Sequence, residues 1–439
     1  MARRRSGRWS FMAVLAVLLL VAAACSDDSS SDTTIAGDEP AATDAPAGTD
    51  APAATDAPAA TDAPAPDEPF VFGMILVGPE NDRGWSQAHR EGGEYVEQML
   101  GAEMIVLDVV NPADRPDVTV EQVAADMIAQ GAQLVFATSD DMKDGVEAAA
   151  AQNPDVPFVW SSGDSAWADG QAYRPDLTNL ANSMGQMEFG KMMGGCAAAL
   201  TTQTGSIGYV GPLINDETRR LVNSAYLGAD YCWTEVRGET TPIDFEVNWI
   251  GFWFNIPGVT LDPTAVTNDF LDGGADVVIS GIDTTEALVR TGQRFDAGEA
   301  VYAIPYDFEG ACSEAPDICL GVPYFNWGPS YLDIVNRVLD GSFSNTWEWN
   351  GPDWSDINNR DTSAVGWVMG DGMLQHPDRV EQLEAFIAGL GDGSINLYTG
   401  PLNWQDGSPF LGDGETASQQ QIWYADQLLE GVVGASSAE

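Results

Sequence analysis

Residues 70–86 read FVFGMILVGPENDRGWS, and this stretch decides the fold. The unbroken apolar run at 70–77 predicts a strand that is buried on both faces, as is typical of a parallel sheet. The Gly-Pro pair at 78–79 ends the strand, and a helical pattern follows over 86–99. A strand, a polar turn and a helix in this order indicate the first unit of an α/β fold.

The same order of elements repeats along the chain. The segments AADMIAQGAQLVFATSDD at 124–141 and TNDFLDGGADVVISGIDT at 267–284 share a helix, a glycine, a strand and a polar turn. This repeat predicts two similar lobes with parallel sheets and a ligand cleft outside the carboxyl ends of the strands. Further strands are predicted at 104–109, 134–137, 157–160, 206–210, 245–249, 276–280 and 301–304, helices at 120–130, 143–152, 190–200, 217–232, 263–273, 285–295, 331–339, 378–390 and 422–429, and a Trp-rich loop at 346–354.

The first 24 residues resemble an export signal. A basic start precedes a 14-residue apolar run at 11–24, which is shorter than the roughly 20 residues that span a bilayer. Three alanines then precede Cys25, as at a bacterial lipoprotein cleavage site, although Ala22 stands where leucine is usual. Acyl chains on Cys25 would anchor the protein; an ordinary signal peptide with an incidental cysteine is the alternative. Residues 25–69, with repeated Thr-Asp-Ala-Pro units, are predicted to be a disordered acidic tether.

The composition excludes several classes of function. The 439-residue chain has 67 acidic and 18 basic residues, a formal net charge of −49, which argues against nucleic-acid binding. Four cysteines follow Cys25, an even number that suits disulfides in an exported protein. Four cysteines can pair in three ways, and all three are open. In one of them Cys196–Cys232 would join neighbouring segments and Cys312–Cys319 would close a short loop. Four free thiols are the alternative to disulfides. Histidine is scarce and no Cys-x-x-Cys pair occurs, so no metal and no cofactor are expected.

Aromatic and polar residues follow several of the predicted strands. Each alone is often a helix cap or a core residue, but together they suit a planar heterocycle. Indole rings stack on the faces of such a ligand, and carboxylates accept its N–H groups. No GxSxG, Walker loop or HExxH motif occurs, so a binding protein rather than an enzyme is predicted. The predicted ligand-binding residues are Asn81, Asp82, Trp85, Ser86, Ser139, Asp164, Trp253, Asp283, Asp307, Asn326 and Trp327.

Four segments carry a resemblance to a known family: GPENDRGWSQAHREGG at 78–93, VNWIGFWFN at 247–255, FNWGPSYLDIVNRVLDGSF at 325–343 and TGPLNWQDG at 399–407. Together they resemble the basic membrane protein (Bmp, or PnrA-like) family of ABC-transporter solute-binding lipoproteins, over nearly all of 70–435. The resemblance implies a type I periplasmic-binding-protein fold, in which two Rossmann-like lobes are joined by a hinge. It also implies a purine base or nucleoside as ligand, ABC permease subunits as partners, and a location at the outer face of the membrane through the lipid anchor alone. We expect a monomer, because docking on a transporter needs both lobes free.

The family pattern also assigns roles to residues of this chain. Trp85 and Trp253 resemble the two stacking rings, and Asp307 resembles the aspartate that receives the polar edge of the purine, with Asp283 assisting. Nucleoside-binding relatives have a lysine shortly before the position of Asn326. Phe325 stands there in this chain, which favours a free base such as adenine.

The expected organisation places the first lobe at 70–182 with part of 306–340, and the second at 183–305 with part of 341–439. A sugar-binding transport protein and a sensory or adhesive surface lipoprotein with the same fold are the alternative functions, and an extracellular hydrolase is a weaker one.

Overall fold

The structure is a computed structural model that describes residues 69–437. The predicted signal segment, Cys25 and the tether up to residue 68 lie outside the described residues. No helix among the residues described is long and apolar enough to cross a membrane.

The first sheet is six-stranded and entirely parallel, in the order β11-β5-β4-β3-β1-β2. Its strands are β1 (Val71–Ile75), β2 (Glu103–Leu107), β3 (Val135–Ala137), β4 (Phe158–Ser161), β5 (Leu180–Gly185) and β11 (Trp347–Asn350). The helices of this half are α1 (Trp85–Leu100), α2 (Val120–Ala129), α3 (Lys143–Gln152) and α8 (Gly328–Leu339). Helix α1 packs against α8, and α2 packs against α3.

The second sheet is five-stranded and also parallel, in the order β15-β7-β6-β8-β9. Its strands are β6 (Ser206–Gly211), β7 (Asp244–Trp249), β8 (Val277–Ser280), β9 (Tyr302–Ile304) and β15 (Val432–Val433). The helices of this half are α4 (Met187–Thr201), α5 (Asp216–Tyr231), α6 (Pro263–Gly273), α7 (Glu286–Asp296) and α10 (Pro377–Asp392). One hydrophobic cluster fills the first half and also includes Trp253, Phe254 and Trp423, and two further clusters fill the second half.

Short elements connect the two halves. Strand β10 (Gly321–Phe325) pairs antiparallel with β12 (Val365–Met369) between them. The remaining elements are α9 (Asp371–Leu374), β13 (Leu402–Asn403), β14 (Pro409–Leu411) and α11 (Gln419–Trp423). The predicted lobe boundaries stay a prediction.

Local sequence explains where several helices begin and end. Helix α2 starts with a capping box of Thr119 and Gln122, and Asn215 with Thr218 forms another at α5. Helix α6 has Asp262 as its cap followed by proline, and it ends at Gly274, whose φ of 107° favours glycine.

Two predictions of secondary structure are wrong. The expected helix at 422–429 ends at Trp423, because the backbone beyond it bonds to other segments: Leu428 O accepts from Gln405 N–H (2.8 Å) and Glu430 N–H donates to Asn403 O (2.9 Å). The Trp-rich segment is not wholly a loop either. Its residues 347–350 pair with β5 and extend the first sheet.

Two disulfides tie the second half together. Cys196 of α4 is bonded to Cys232, which follows α5, with their Cα atoms 5.1 Å apart. Cys312 is bonded to Cys319 with a Cα separation of 5.5 Å, next to the short path from β9 to β10.

Candidate functional site

A cavity of about 420 Å³ lies between the two halves, at the carboxyl ends of the strands. This figure includes open solvent, and the space that admits water-sized spheres is only about 20 Å³, far below the roughly 300–1,000 Å³ that is usual for small-molecule sites. The two halves must therefore move apart to admit a ligand. Its lining residues come from both halves: Trp85, Ser139, Asp140, Ser162, Tyr209, Pro212, Glu217, Thr218, Leu221, Trp253, Gly281, Asp283 and Tyr306.

The turn after β1 delivers Trp85 to the cavity. Asp82 accepts hydrogen bonds from the backbone N–H groups of Gly84, Ser86 and Gln87 at 2.9–3.0 Å, and so caps the start of α1. Burial raises the pKa of Asp82 to about 6, although these backbone donors act against the rise. The Trp85 side chain is 6% exposed, and its Nε1–H donates to Thr138 O at 2.6 Å.

A cluster of rings fixes Trp85 from behind. We call it the aromatic wall; it consists of Trp85, His89, Phe325, Trp327 and Tyr331. The Trp327 ring stacks on His89 with centroids 4.1 Å apart, and Trp85 meets both rings edge-on. His89 Nδ1 lies 2.6 Å from the Tyr331 hydroxyl. Burial lowers the pKa of His89 well below its usual 6.5, so the wall is uncharged at neutral pH.

Trp253 reaches the same cavity from the loop that follows β7. Its side chain is 8% exposed, and its carbonyl oxygen accepts from the backbone N–H of Asp283 at 2.9 Å. Its indole lies close enough to Asp141 to lower the pKa of that carboxyl, but burial and the neighbouring Asp140 prevail and raise it to about 6. Trp85 and Trp253 therefore lie on opposite sides of one enclosed space.

The second half contributes a group of buried charges. We call it the charged wall; it consists of Lys191, Glu217, Asp283 and Asp307. Glu217 and Asp283 line the cavity directly. Burial raises the pKa of Glu217 to about 7, and burial with repulsion from other carboxylates raises that of Asp283 well above its usual range.

Lys191 and Asp307 lie deeper, around Tyr306. Asp307 is 0% exposed, has a φ of 70°, and has no hydrogen-bond partner for either carboxylate oxygen among the described residues. The Lys191 ammonium donates to Ser280 O at 2.9 Å and lies 3.1 Å from the centroid of the Tyr306 ring. Burial lowers the pKa of Lys191 to about 7, against the attraction of Asp307. Buried, unpaired carboxylates and unusual backbone conformations cluster at functional sites, so Asp307 is a candidate functional residue.

The other predicted residues take different places. Ser139 lines the cavity, whereas Ser86 is buried behind it and accepts from Gly78 N–H at 3.0 Å. Asn81 is exposed on the turn and is not among the lining residues. Asp164 lies in an adjoining chamber, where it accepts from the Tyr424 hydroxyl and from Ala172 N–H.

Asn326 and Trp327 do not line the cavity between the two halves. The Asn326 amide donates to the carbonyl oxygens of Arg360 (2.9 Å) and Ser363 (2.7 Å), which ties a loop in place. Trp327 is 2% exposed within the aromatic wall. Both residues line a neighbouring surface cavity instead of the one between the halves.

The two halves touch at the rim of the cavity. A Cβ atom at Gly84 would come within 1.5 Å of the Asp283 carbonyl oxygen, so only glycine permits this contact. Arg83 forms an ion pair with Glu314, and Asn215 lies 3.4 Å from the Asp140 carboxylate. These contacts describe a closed cleft.

Several residues that line the cavity or lie next to it escaped the sequence analysis. Tyr209 ends inside β6, Glu217 lies in the first turn of α5, and Lys191 lies on α4, where each is indistinguishable from a core or capping residue. The one available signal was Lys191 itself, because lysine occurs only twice in the chain. Among the described residues no group of side chains is arranged to hold a metal ion.

Comparison with known proteins agrees with this architecture. Residues 70–237 match the family described as ABC transporter substrate-binding protein PnrA-like (Bmp). The chain is 27% identical to a purine-binding protein of Brucella abortus over 375 residues, which are 83% of this chain and 93% of that one. It is 26% identical over 280 residues, 63% of each chain, to a Haloferax volcanii protein provisionally named an ABC transporter glucose-binding protein.

Solved structures confirm the predicted fold class. An ABC transporter solute-binding protein from Aeropyrum pernix K1 superimposes with a TM-score of 0.59 at 13% identity, covering 75% of this chain and 93% of that one. One from Conexibacter woesei does so with a TM-score of 0.54 at 17% identity, covering 74% and 98%. By these matches and by the cleft between its two α/β halves, the chain is similar to the PnrA-like (Bmp) ABC transporter substrate-binding proteins, and the family match extends over residues 70–237.

Proposed function

We propose that the cavity binds a flat nitrogen heterocycle of the purine type, with a free base such as adenine favoured over a nucleoside. The observation that carries the proposal is that Trp85 and Trp253 line one cavity from opposite halves, beside the Asp283 carboxyl. In this proposal the chain acts outside the cytoplasm as an ABC transporter substrate-binding protein, and the heterocycle is the substrate that it binds.

The cavity chemistry supports a flat ligand with polar edges. Two indoles offer faces for stacking, and each stacked base is worth roughly 1–3 kcal/mol. Carboxyl groups at the edge accept N–H donors, and the buried setting makes an unmatched polar group costly. The Brucella abortus relative is named for purine binding, which favours this chemistry.

The position of Asn326 supports a free base. The amide of Asn326 is already bonded to two backbone carbonyls, and Phe325 packs edge-on against Trp85 at 5.2 Å. Neither residue is among those that line the cavity. This segment therefore leaves no side chain free to read a ribose.

Isothermal titration of the purified full-length chain tests the proposal. We expect adenine or another purine base to bind with quenching of tryptophan fluorescence, and the matching nucleosides to bind more weakly. Glucose is the competing ligand, because the Haloferax volcanii relative is provisionally named for it. Heat on adding glucose and none with any purine would reject the purine proposal and leave the transporter role intact.

We also propose that the protein is a monomer that Cys25 anchors through acyl chains and that delivers its ligand to ABC permease subunits. Residue 25 follows a short apolar run, and multiple acyl chains give stable anchoring. Mass spectrometry of the N-terminal peptide from membranes checks this, since an unmodified Cys25 would refute it.

A further inference from the structure

The cavity has an imbalance of charge. Its lining includes the carboxyl groups of Asp140, Glu217 and Asp283, and among the described residues that form it there is no basic side chain. Asp307, with its unpaired carboxylate, lies directly behind Tyr306. The surroundings of a ligand here are therefore strongly acidic as well as aromatic.

The two basic groups that lie behind Glu217 and Asp283 already have partners within the protein. Lys191 is bonded to Ser280 O and lies against the Tyr306 ring. Arg220 donates from Nε to Glu188 at 2.6 Å, and the pair is almost fully buried. The charged and titratable groups that face the lining carboxyls from the surrounding elements are Asp82, Asp141, Lys143, Asp164, Glu188, Lys191, Tyr209, Arg220, Tyr306 and Asp307.

Three basic groups, Lys143, Lys191 and Arg220, therefore face a larger number of carboxyl groups. Burial is the main reason that the pKa values of Asp140 and Glu217 are raised, and repulsion between carboxylates adds to it. Glu217 consequently exchanges its proton near neutral pH. A positively charged ligand would replace that proton, and indole faces attract cations as well.

We infer that the flat ligand of this site carries a positive charge when bound, either permanently or by taking up a proton. This inference rests on the proposed function and specifies the class of its ligand. The positive ring lies between Trp85 and Trp253, and its charge is balanced by Glu217 and Asp283. Protons displaced from these carboxyls pass to solvent, so binding of a permanent cation strengthens as the pH rises.

A matched pair of ligands tests the inference on the full-length chain. The first is adenine methylated on both imidazole nitrogens, which is permanently cationic. The second is its neutral isostere, in which carbon replaces one methylated nitrogen. We expect the cation to bind at least about tenfold more tightly at about pH 8, and its affinity to fall about tenfold between about pH 8 and pH 6. Titration in two buffers of different ionisation enthalpy should show proton release.

Glu217→Gln keeps the shape of the side chain and removes its charge. We expect it to weaken the cation by on the order of tenfold and the isostere by less than about twofold. The matched control is Glu246→Gln, an exposed position on β7, which should change neither. Equal or tighter binding of the isostere, or no proton release with the cation, would overturn the inference while the proposed function stands. If neither test ligand binds and no purine binds, the inference and the proposed function both fail.

Discussion

Trp85 and Trp253 face the same cavity, but different kinds of residues hold them in place. Trp85 belongs to the aromatic wall, where neighbouring rings lie 4.6–5.5 Å from it and Thr138 O accepts its N–H. Trp253 lies in a loop whose backbone is bonded to Asp283, a member of the charged wall. Both tryptophans belong to one hydrophobic cluster, but neighbouring rings pack on Trp85, whereas no aromatic ring among the described residues packs on Trp253.

The difference suggests a division of roles. The aromatic wall is uncharged and closely packed, so it offers one surface of fixed shape. The charged wall holds carboxyls whose protonation depends on pH and on the ligand. The first half therefore supplies the surface of fixed shape and one lining carboxyl, Asp140, and the second half supplies Glu217 and Asp283.

The largest expected effect comes from preventing the two walls from meeting. In Gly84→Ala the new methyl group would overlap the Asp283 carbonyl oxygen, so the cleft could not close as it does here. We expect the affinity for the purine ligand to fall at least about 100-fold, which corresponds to about 2.7 kcal/mol. Calorimetric titration measures the affinity.

The matched control is Gly273→Ala, because a Cβ atom at that helix position would meet nothing within 4 Å. This variant should bind as the wild type does. The melting temperature of ligand-free Gly84→Ala should stay near that of the wild type, since an open cleft relieves the overlap. Unchanged affinity in Gly84→Ala would show that the contact with Asp283 is not part of the bound state.

Truncating the two tryptophans compares the walls directly. Both Trp85→Ala and Trp253→Ala should weaken binding by roughly 1–3 kcal/mol, the value of one stacked ring. Trp85→Ala should also lower the free energy of unfolding by about 3–5 kcal/mol, because it leaves a void in a packed cluster. Trp253→Ala should destabilise the fold less, because no aromatic ring among the described residues packs on Trp253, whereas Trp85 is held by three rings and a hydrogen bond.

Urea unfolding and calorimetric titration on the same samples separate the two effects. Trp85→Phe serves as the control, since it keeps a ring in the aromatic wall and should recover part of both losses. Equal loss of stability in the two alanine variants would contradict the expectation that Trp85 contributes more to folding stability than Trp253 does.

Much of the fold could be predicted because buried parallel strands are continuous apolar runs. Helix α3 and helix α6 have the predicted bounds, and the strand at 70–77 contains β1. Strand β5 reads LANSMG, which has no apolar run or alternation to reveal it. The strand within the Trp-rich segment was missed for a related reason: aromatic residues also occur in loops, and only pairing with β5 defines it.

The site could be predicted where sequence order places residues at strand ends. Trp85, Trp253 and Asp283 follow strands directly, and the structure brings them to one cavity. Glu217 and Lys191 lie on helices, where a charged residue is normally exposed. Their burial depends on how α4 and α5 pack across the second sheet, a long-range property that no local pattern encodes.

The smallest expected effect concerns stability against pH, and it has opposite signs on the two walls. Burial raises the pKa of Glu217 from its usual 4.5 to about 7, so folding favours the protonated form. Its contribution to stability is present below pH 4.5 and is lost as the pH rises through about 7. Burial instead lowers the pKa of His89, so the contribution of His89 is present above pH 6.5 and is lost on acidification.

Glu217→Gln removes the pH-dependent contribution of Glu217 to folding stability. We therefore expect the ligand-free variant to be more stable than the wild type by about 1–2 kcal/mol at about pH 8, and to match it at about pH 4. The expected difference in stability is smaller than the full pKa shift of Glu217 would give, because part of that shift comes from repulsion that also acts on the neighbouring carboxyl groups. Urea unfolding at both pH values measures the difference, with Glu246→Gln as the exposed control. A variant that is less stable than the wild type at the higher pH would mean that ionised Glu217 is paired in the empty site. The acidity of the charged wall would then be a structural feature of the folded protein instead of a reserve held for the ligand.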